Sequence, residues 1–378
     1  MDSGLLILPG PLGWLLILLP VLIWGGLLLL PWQPWGTRER LEADPAAVAG
    51  ADLQQITVLI PARNEADTIG HTLEALQQQG HGLQIIVVDD QSEDDTARIA
   101  ARYPNVRIVS GQPLPEGWAG KLWALEQGKA HVRTPVVLLM DADIQLLPGL
   151  LPALLALKQQ QGRQFVSLMA DLRRTSFWDR LLLPAFVYYF KLLYPFGLSN
   201  TGNRLVAAAA GGCILVDQEV LQATGAFASL KHALIDDCSL ARQVKNAGYR
   251  TWIGLSRGVV SLRPYGDLKS IHDMVARSAF TQLGYSSMAL LAVTALFLLA
   301  YAGPLVALGL PAGQGWALLA LGCLMFSYLP VLRYYQMPAG WALLLPVSAA
   351  FYLGMTWSSA IRYWRGVRSR WKGRTYSS

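Results

Sequence analysis

The sequence predicts an α/β domain with a mostly parallel sheet, joined to transmembrane helices on its N- and C-terminal sides. Two observations predict this fold class. Short, continuously apolar runs alternate with helical patterns in the middle of the chain, and long uncharged apolar segments flank that region. The composition agrees, because 53% of the 378 residues are hydrophobic and only 15% are charged, which is unusual for a soluble protein.

The flanking apolar segments are long enough to cross roughly 30 Å of hydrocarbon: 11–32, about 286–308, 315–332 and 338–361. We interpret the first as a retained anchor and not a signal peptide, since no Lys or Arg precedes it and no small-residue cleavage site follows. The last residues are strongly basic, which is typical of a juxtamembrane cytoplasmic tail. We therefore expect a multi-pass protein of the inner (cytoplasmic) membrane whose central domain faces the cytoplasm.

The predicted organisation follows from these segments: an anchor over 1–32, a tether over 33–54, an α/β domain over 55–285, a membrane region of two or three helices over 286–361, and a basic tail over 362–378. A domain and a tail on the same side require an even number of crossings between them, whereas three candidates are present. The number of C-terminal crossings therefore stays open. The three cysteines are widely spaced and suggest neither a disulfide framework nor a zinc site.

The central region contains short apolar runs that we predict to be strands buried on both faces: 56–62, 84–90, 106–111, 136–143, 165–171, 211–217, 249–254 and 259–263. Helical patterns separate them: 65–80, a helix opened by a capping box at Ser92 and Asp95, 119–131, a helix from Pro148, and 236–247. The apolar and aromatic segment 181–196 is interrupted by Pro184 and Lys191, so it is either an interfacial helix or a buried core helix.

Acidic residues end several of these strands, namely Asp89 and Asp90, Asp141 and Asp143, and Asp171. In parallel α/β sheets, ligands bind at the carboxyl ends of the strands. Asp141 and Asp143 are two residues apart and point the same way, so their charges repel unless a cation lies between them. Mg²⁺ or Mn²⁺ held by one or two carboxylates and substrate phosphates would relieve this repulsion. The alternative is that both acids only begin a turn.

Further candidates lie near the same edge. Arg63, Asn64 and Glu65 open the first helix, where N–H groups suit an anionic ligand. Lys121 begins a helix whose dipole disfavours a cation, which indicates either contact with a phosphate or an exposed lysine. Gly211 and Gly212 allow a ligand close to the backbone. Asp236 and Asp237 either cap a helix or provide a general base, since no histidine lies at a strand end beside the acids. Arg277 suits a diphosphate or a lipid headgroup.

Taken in order, the motifs PARNEA (61–66), VVDDQSEDDT (87–96), GWAGKLWAL (117–125), MDADI (140–144), AGGCILV (210–216) and IDDCSLARQVKNAGY (235–249) resemble family 2 glycosyltransferases with the GT-A fold. GWAGKLWALEQG and ARSAFTQLGYS resemble in particular the hopene-associated glycosyltransferases. The resemblance covers about 55–285. No motif is specific alone, but the six motifs in this order are.

The resemblance implies a role for each matching residue. The loop from Pro61 to Glu65, with Asp89 or Asp90, would bind the nucleoside; Asp141 would lie on the ribose or metal side, and Asp143 on the metal. Gly211 and Gly212 would line the acceptor pocket. Asp237 would be the catalytic base, with Asp236 where the family usually has Glu. The family's Gln-x-x-Arg-Trp motif is only partly met, by Arg277, which favours transfer of a single sugar over polymer synthesis.

The function expected from these residues is metal-dependent, inverting transfer of one sugar from a nucleotide-diphosphate donor to a lipid hydroxyl, such as that of a hopanoid or another isoprenoid. The expected partners are the donor, the lipid and the membrane, but no nucleic acid. Two other functions were weighed. A nucleotidyltransferase needs a Gly-rich phosphate loop early in the chain, which PARNEA lacks. A non-catalytic membrane protein would be expected to have lost acids at the strand ends, and none is missing.

Overall fold

The computed structural model describes residues 10–231, 233, 235–367, 370–371 and 374–375. The first nine residues of the predicted anchor, part of the predicted basic tail, His232 and Leu234 lie outside the described residues. The chain forms two compact units. Unit 1 comprises Met1–Thr37, Arg174–Pro195 and Gly266–Val367, and unit 2 comprises Arg38–Arg173, Phe196–Tyr265 and Arg368–Ser378. The stretch predicted as one domain over 55–285 is thus divided between the two units.

Within the described residues, the strands are β1 Ile56–Ala62, β2 Gln84–Asp89, β3 Val106–Ser110, β4 Val136–Met140, β5 Ile144–Leu146, β6 Phe165–Asp171, β7 Cys213–Asp217, β8 Thr251–Ser261, β9 Arg370–Trp371 and β10 Arg374–Thr375. The first eight form one sheet in the order β3-β2-β1-β4-β7-β6-β8-β5, and β9 pairs with β10.

The α-helices in the same part of the chain are α1 Pro11–Leu29, α2 Ile69–Gln77, α3 Thr96–Ala100, α4 Gly120–Lys129, α5 Leu150–Gln160, α6 Phe177–Leu193, α7 Phe196–Ser199, α8 Gln218–Ala223, α9 Asp236–Asn246, α10 Leu268–Ala276, α11 Ala279–Gln282, α12 Ser287–Phe297, α13 Gly303–Ala307, α14 Gln314–Tyr334 and α15 Leu345–Trp364. Short 3₁₀-helices occupy Pro45–Val48, Ala228–Leu230, Pro311–Gly313 and Ala339–Leu344, and a π-helix occupies Leu298–Ala302.

The large sheet of unit 2 is mixed. Strands β1, β2, β3 and β4 pair in parallel, as do β6 and β8, whereas β7 runs antiparallel to β4 and β6, and β5 antiparallel to β8. Both faces are buried. Val58 and Ile60 of β1 pack in the layer that contains α2 and α5, and Leu59 packs on the other face with α4 and α9. Burial on both faces explains why the central strands read as continuous apolar runs.

The order of the strands creates a crevice beside β1. The chain places β2 and β3 on one side of β1 and then crosses to place β4 on the other. Such a reversal separates the loops that follow two neighbouring parallel strands and leaves an opening at their carboxyl ends. The residues that follow β1 and β4 therefore face one another across this opening.

Three local predictions are wrong. Ser92 and Asp95 form no capping box, because α3 begins at Thr96 and the Ser92 hydroxyl accepts a hydrogen bond from Asn64 N–H instead. The two strands predicted over 249–254 and 259–263 are one strand, β8. The predicted tether is not free along its length: the backbone around Arg40 pairs with Leu255 of β8 through Leu41 N–H and Glu39 C=O. This pairing satisfies backbone groups of β8.

Among the described residues of unit 1, three helical segments are long and apolar enough to cross a membrane, namely Ser287–Ala307, Pro311–Tyr334 and Ala339–Trp364. In α1, the predicted anchor, the apolar helix Gly13–Leu29 is shorter than these. Helix α6, left open between an interfacial and a core position, is a core helix of unit 1. Its Leu182 carbonyl accepts a hydrogen bond of 2.9 Å from Tyr352 OH of α15, and most of its residues are buried.

Candidate active site

A pocket opens in unit 2 at the reversal between β1 and β4. Six lining residues come from segments that are distant in sequence: Pro61, Lys121, Asp141, Gly211, Asp236 and Asp237. The apolar lining includes Leu122, Leu125, Ile214, Phe227 and Leu240. The first six were all candidates from the sequence, and the structure brings them together.

Local structure explains how these side chains reach one place. Pro61 and Asp141 lie at the carboxyl ends of β1 and β4, Gly211 lies just before β7, and Lys121 is in the first turn of α4. Asp236 and Asp237 are the first two residues of α9, whose N-cap is Ile235 without a side-chain capping bond. Neither acid is the N-cap residue, although Asp237 Oδ1 accepts from Cys238 N–H in the first turn of α9.

Lys121 and Asp141 form the shortest polar contact in the pocket. Lys121 Nζ lies 2.6 Å from Asp141 Oδ1 and 4.0 Å from Asp236 Oδ2. Burial alone would lower the pKa of Lys121, but the carboxylates of Asp141 and Asp236 outweigh it and raise that pKa above its ordinary value. Lys121 is therefore a permanent cation between two acidic segments.

The Asp237 carboxylate is held by two backbone N–H groups. Oδ2 accepts from Gly211 N–H at 2.9 Å, and Oδ1 accepts from Cys238 N–H at 2.7 Å. Burial, together with the neighbouring charge of Asp236, raises the pKa of Asp237 to about 6, against the opposing effect of these hydrogen bonds and of Lys121. A carboxylate with a raised pKa is a better proton acceptor that is still mostly ionised near neutral pH.

Gly211 lies between the cation and this carboxylate. A Cβ at position 211 would stand 3.2 Å from Lys121 Nζ and 3.5 Å from Asp237 Oδ2. A Cβ there would make a tighter than usual contact with the Lys121 ammonium and an ordinary contact with Asp237, so the glycine leaves room for the ammonium. Gly212 is different, because a Cβ at that position would meet only the Ile144 side chain, at 3.1 Å. The paired glycines therefore have unequal roles.

Asp143 lies beside Asp141 without lining the pocket. Its backbone carbonyl accepts from Leu262 N–H at 2.7 Å. Burial raises the pKa of Asp141, and the charge of Asp143 raises it further, against the effect of Lys121. In the described part of the chain, no three His, Cys, Asp or Glu side chains cluster as metal ligands. Two carboxylates, one already paired with a cation, fit Mg²⁺ or Mn²⁺, because substrate phosphates and water normally complete such a site.

The loop after β1 differs from expectation. The N–H groups of Asn64 and Glu65 were expected to suit an anionic ligand, yet they donate to Ser92 Oγ and Thr96 Oγ1 of the loop after β2. Ala66 N–H donates to Asp94 Oδ2 of the same loop. Helix α2 also begins later, at Ile69. The expectation that these N–H groups bind an anion is therefore wrong.

Arg63 stabilises the same pair of loops. Its guanidinium donates to the backbone carbonyls of Asp90 and Gln91, each at 2.7 Å, and to Glu93 Oε1 at 3.2 Å. Asp89 Oδ1 accepts from Ser92 N–H at 3.3 Å, and Asp90 is fully buried. Of the described residues, the predicted nucleotide-binding set thus contributes only part of the pocket lining. The predicted residues outside that lining are Arg63, Asn64, Glu65, Asp89, Asp90, Asp143 and Gly212. Arg277 lies in unit 1, at the C-cap of α10.

Sequence reasoning missed the apolar wall of the pocket and the N–H of Cys238. Leu122 and Leu125 were recognisable in principle, since they occupy the turn of α4 that follows Lys121. Phe227 carried no signal, because it lies in an irregular segment before Ala228–Leu230. These side chains reduce solvation of the charges beside them, which strengthens the electrostatic effects described above.

Comparison with known proteins shows that the chain is similar to glycosyltransferases. Residues 57–225 match the family model described as glycosyl transferase family 2. Two 4,4'-diaponeurosporenoate glycosyltransferases of Staphylococcus aureus are similar to the chain: that of strain bovine RF122 / ET3-1 is 37% identical over 94 residues, and that of strain USA300 is 38% identical over 92 residues. These matches span 25% and 24% of both chains, about a quarter of the length of these relatives.

A solved structure is similar over nearly the whole chain. The mannosyltransferase PcManGT from Pyrobaculum calidifontis, in complex with GDP-Man and Mn²⁺, has a TM-score of 0.50 and 17% identity, covering 93% of this chain and 95% of its own. At this identity the likeness shows the fold. The prediction of a GT-A domain with apolar helices is confirmed, and the resemblance to family 2 is confirmed for residues 57–225.

Proposed function

We propose that the protein is a membrane-bound glycosyltransferase that moves one sugar from a nucleotide-diphosphate sugar to a lipid hydroxyl, with inversion at the anomeric carbon. The observation that supports it best is the convergence of Asp141, Lys121 and Asp237 on one pocket at the reversal between β1 and β4. A family 2 model that matches residues 57–225 supports the same reaction class.

The donor would bind on the β1–β4 side of the pocket. Asp141 and Asp143 would hold a divalent metal, Mg²⁺ or Mn²⁺, and when bound this ion stabilises negative charge on the departing diphosphate. Lys121 is placed to contact the diphosphate as well, since its ammonium is already at the edge of the pocket beside Asp141. Mn²⁺ accompanies the nucleotide sugar in the mannosyltransferase of similar fold.

Asp237 would act as the general base. It takes the proton from the acceptor hydroxyl while the hydroxyl oxygen bonds to the anomeric carbon and the bond from that carbon to the phosphate oxygen breaks. The hydrogen bonds from Gly211 and Cys238 fix the plane of the carboxylate, which reduces the motion needed to reach the transition state. Asp236 would keep Lys121 in place and raise the basicity of Asp237.

The acceptor would be a lipid, because three helical segments in the described part of the chain are suited to a membrane. The matched relatives are named for transfer to 4,4'-diaponeurosporenoate, a carotenoid. A hopanoid or another isoprenoid alcohol is our specific proposal, supported by the resemblance of GWAGKLWALEQG and ARSAFTQLGYS to hopene-associated enzymes. Arg277 without a following Trp favours a single transfer. The domain would face the cytoplasm, where nucleotide sugars are made.

Membranes that contain the full chain test this proposal with a panel of labelled nucleotide sugars and Mn²⁺. We expect label to move into the lipid fraction with one donor, and transfer to stop with a chelator and resume with added Mn²⁺. Asp143→Ala should abolish transfer, whereas Asp95→Asn, a change at an exposed acid of unit 2, should not affect it. If no donor transferred label to the lipid fraction, the proposal would be refuted. Normal transfer by Asp143→Ala would refute the role of Asp143 in metal binding.

A further inference from the structure

Contact with the donor diphosphate does not by itself explain why Lys121 is paired with Asp141 before any donor is bound. Gly120 is the first residue of α4, so Lys121 is a cation in the first helical turn, where the helix dipole is unfavourable for positive charge. Nevertheless its ammonium lies 2.6 Å from Asp141 Oδ1. Asp141, a proposed ligand of the metal, is therefore already paired with the positive charge of Lys121.

The surroundings are built to hold that ammonium. Asp236 lies at 4.0 Å from it, and the absence of a side chain at Gly211 gives the ammonium room, since a Cβ there would stand 3.2 Å from Nζ, a tighter contact than usual. The Lys121 side chain is only 20% exposed. Asp141, Asp236 and Gly211, from three different segments, thus surround one lysine. An incidental ion pair on the surface would not require this arrangement.

We propose that Lys121 is a resident counter-ion that competes with the divalent metal for Asp141, so that the metal binds together with the nucleotide-sugar donor and not before it. This inference rests on the proposed function. A metal ion bound to Asp141 would be repelled by the Lys121 ammonium, which lies 2.6 Å from Oδ1 of the same carboxylate. A diphosphate resolves the conflict, because it offers Lys121 a new anionic partner and adds oxygen ligands for the metal.

The test measures binding of Mn²⁺ alone to the purified full-length protein in detergent, from the loss of the free Mn²⁺ signal in electron paramagnetic resonance. We expect Lys121→Gln and Lys121→Met to bind Mn²⁺ at least about tenfold more tightly than the wild type, because a nearby positive charge is removed. Lys121→Arg keeps the charge and should remain weak. Lys129→Met removes a lysine of the same helix that is paired with Glu126, and it should not change Mn²⁺ affinity.

A double variant tests whether the gain in Mn²⁺ affinity depends on the pairing of Lys121 with Asp141. Adding Asp141→Asn to Lys121→Gln should return Mn²⁺ affinity to the wild-type level or below. Equal Mn²⁺ affinity in the wild type and in both neutral variants would overturn the competition, as would a gain that persists without the Asp141 carboxylate. Either result would leave the proposed function standing as long as the wild type transfers sugar in the presence of Mn²⁺. If the wild type transfers no sugar, the proposed function itself fails.

Discussion

The backbone N–H of Gly211 donates a hydrogen bond of 2.9 Å to Oδ2 of Asp237, although 26 residues separate the two in sequence. With Cys238 N–H on the other oxygen at 2.7 Å, this contact orients the carboxylate from two different segments. The segment before β7 and the start of α9 must therefore both be in place before Asp237 can serve as a base.

The raised pKa of Asp237 predicts an acidic limb in the activity profile. A base works only when ionised, so the turnover rate should rise with pH through about 6, the pKa of this group, and level off above it. Asp236→Asn removes a neighbouring negative charge that raises this pKa. The limb should therefore move to lower pH, as measured by transfer rates between pH 4.5 and 8. Asp95→Asn should leave it in place, and an unmoved or upward-shifted limb in Asp236→Asn would contradict the assignment.

The unequal contacts of the paired glycines predict unequal effects of a methyl group. Gly211→Ala places a Cβ 3.2 Å from Lys121 Nζ, and displacement of this ammonium should reduce turnover by about ten- to a hundredfold. Gly212→Ala meets only the Ile144 side chain and should cost much less. Steady-state kinetics of the two variants, with comparable protein levels, check this prediction, and equal losses would count against it.

The Arg63 contacts predict a role in stability. Its guanidinium joins the loops after β1 and β2 through carbonyls of Asp90 and Gln91, and the side chain is 11% exposed. Arg63→Ala should lower the free energy of unfolding by about 1–3 kcal/mol, because charged hydrogen bonds are lost in a protected place. Arg98→Ala, whose side chain is 68% exposed in an ion pair with Asp95, should cost roughly 0–1 kcal/mol. Denaturant unfolding in detergent compares the two, and a smaller loss for Arg63→Ala would be inconsistent with this role.

Much of the fold was predictable because burial on both faces leaves a simple pattern. The run ITVLIPA is strand β1 with the predicted bounds, and FVSLMAD is β6. Strand β8 was predicted as two pieces because Ser256, Arg257 and Gly258 interrupt its apolar pattern. In the structure Ser256 is buried and Arg257 N–H donates to Glu42 of the segment predicted as a tether. A partner more than 200 residues away leaves no local signal.

The acidic residues of the candidate site could be predicted from the sequence, whereas the contacts between its loops could not. Asp141 was a candidate because it follows a buried strand, and Asp237 because it begins a helix, where an acidic side chain can cap the helix or accept a proton. Both line the same pocket. The sequence did not show that Arg63 and the N–H groups after it contact the loop after β2. Those contacts depend on how two loops fold together, and either loop alone is equally compatible with a ligand. The apolar wall around Phe227 was missed for the same reason.

The most direct test of the account is mass spectrometry of the lipids of cells that carry the gene, cells that lack it, and cells complemented with Asp237→Asn. The account predicts a lipid heavier by a single sugar residue that disappears with the gene, returns with the wild type, and falls by roughly a hundred- to ten-thousandfold per unit of protein with Asp237→Asn. Undiminished product from Asp237→Asn at equal protein level, or lipid profiles that are identical with and without the gene, would contradict it.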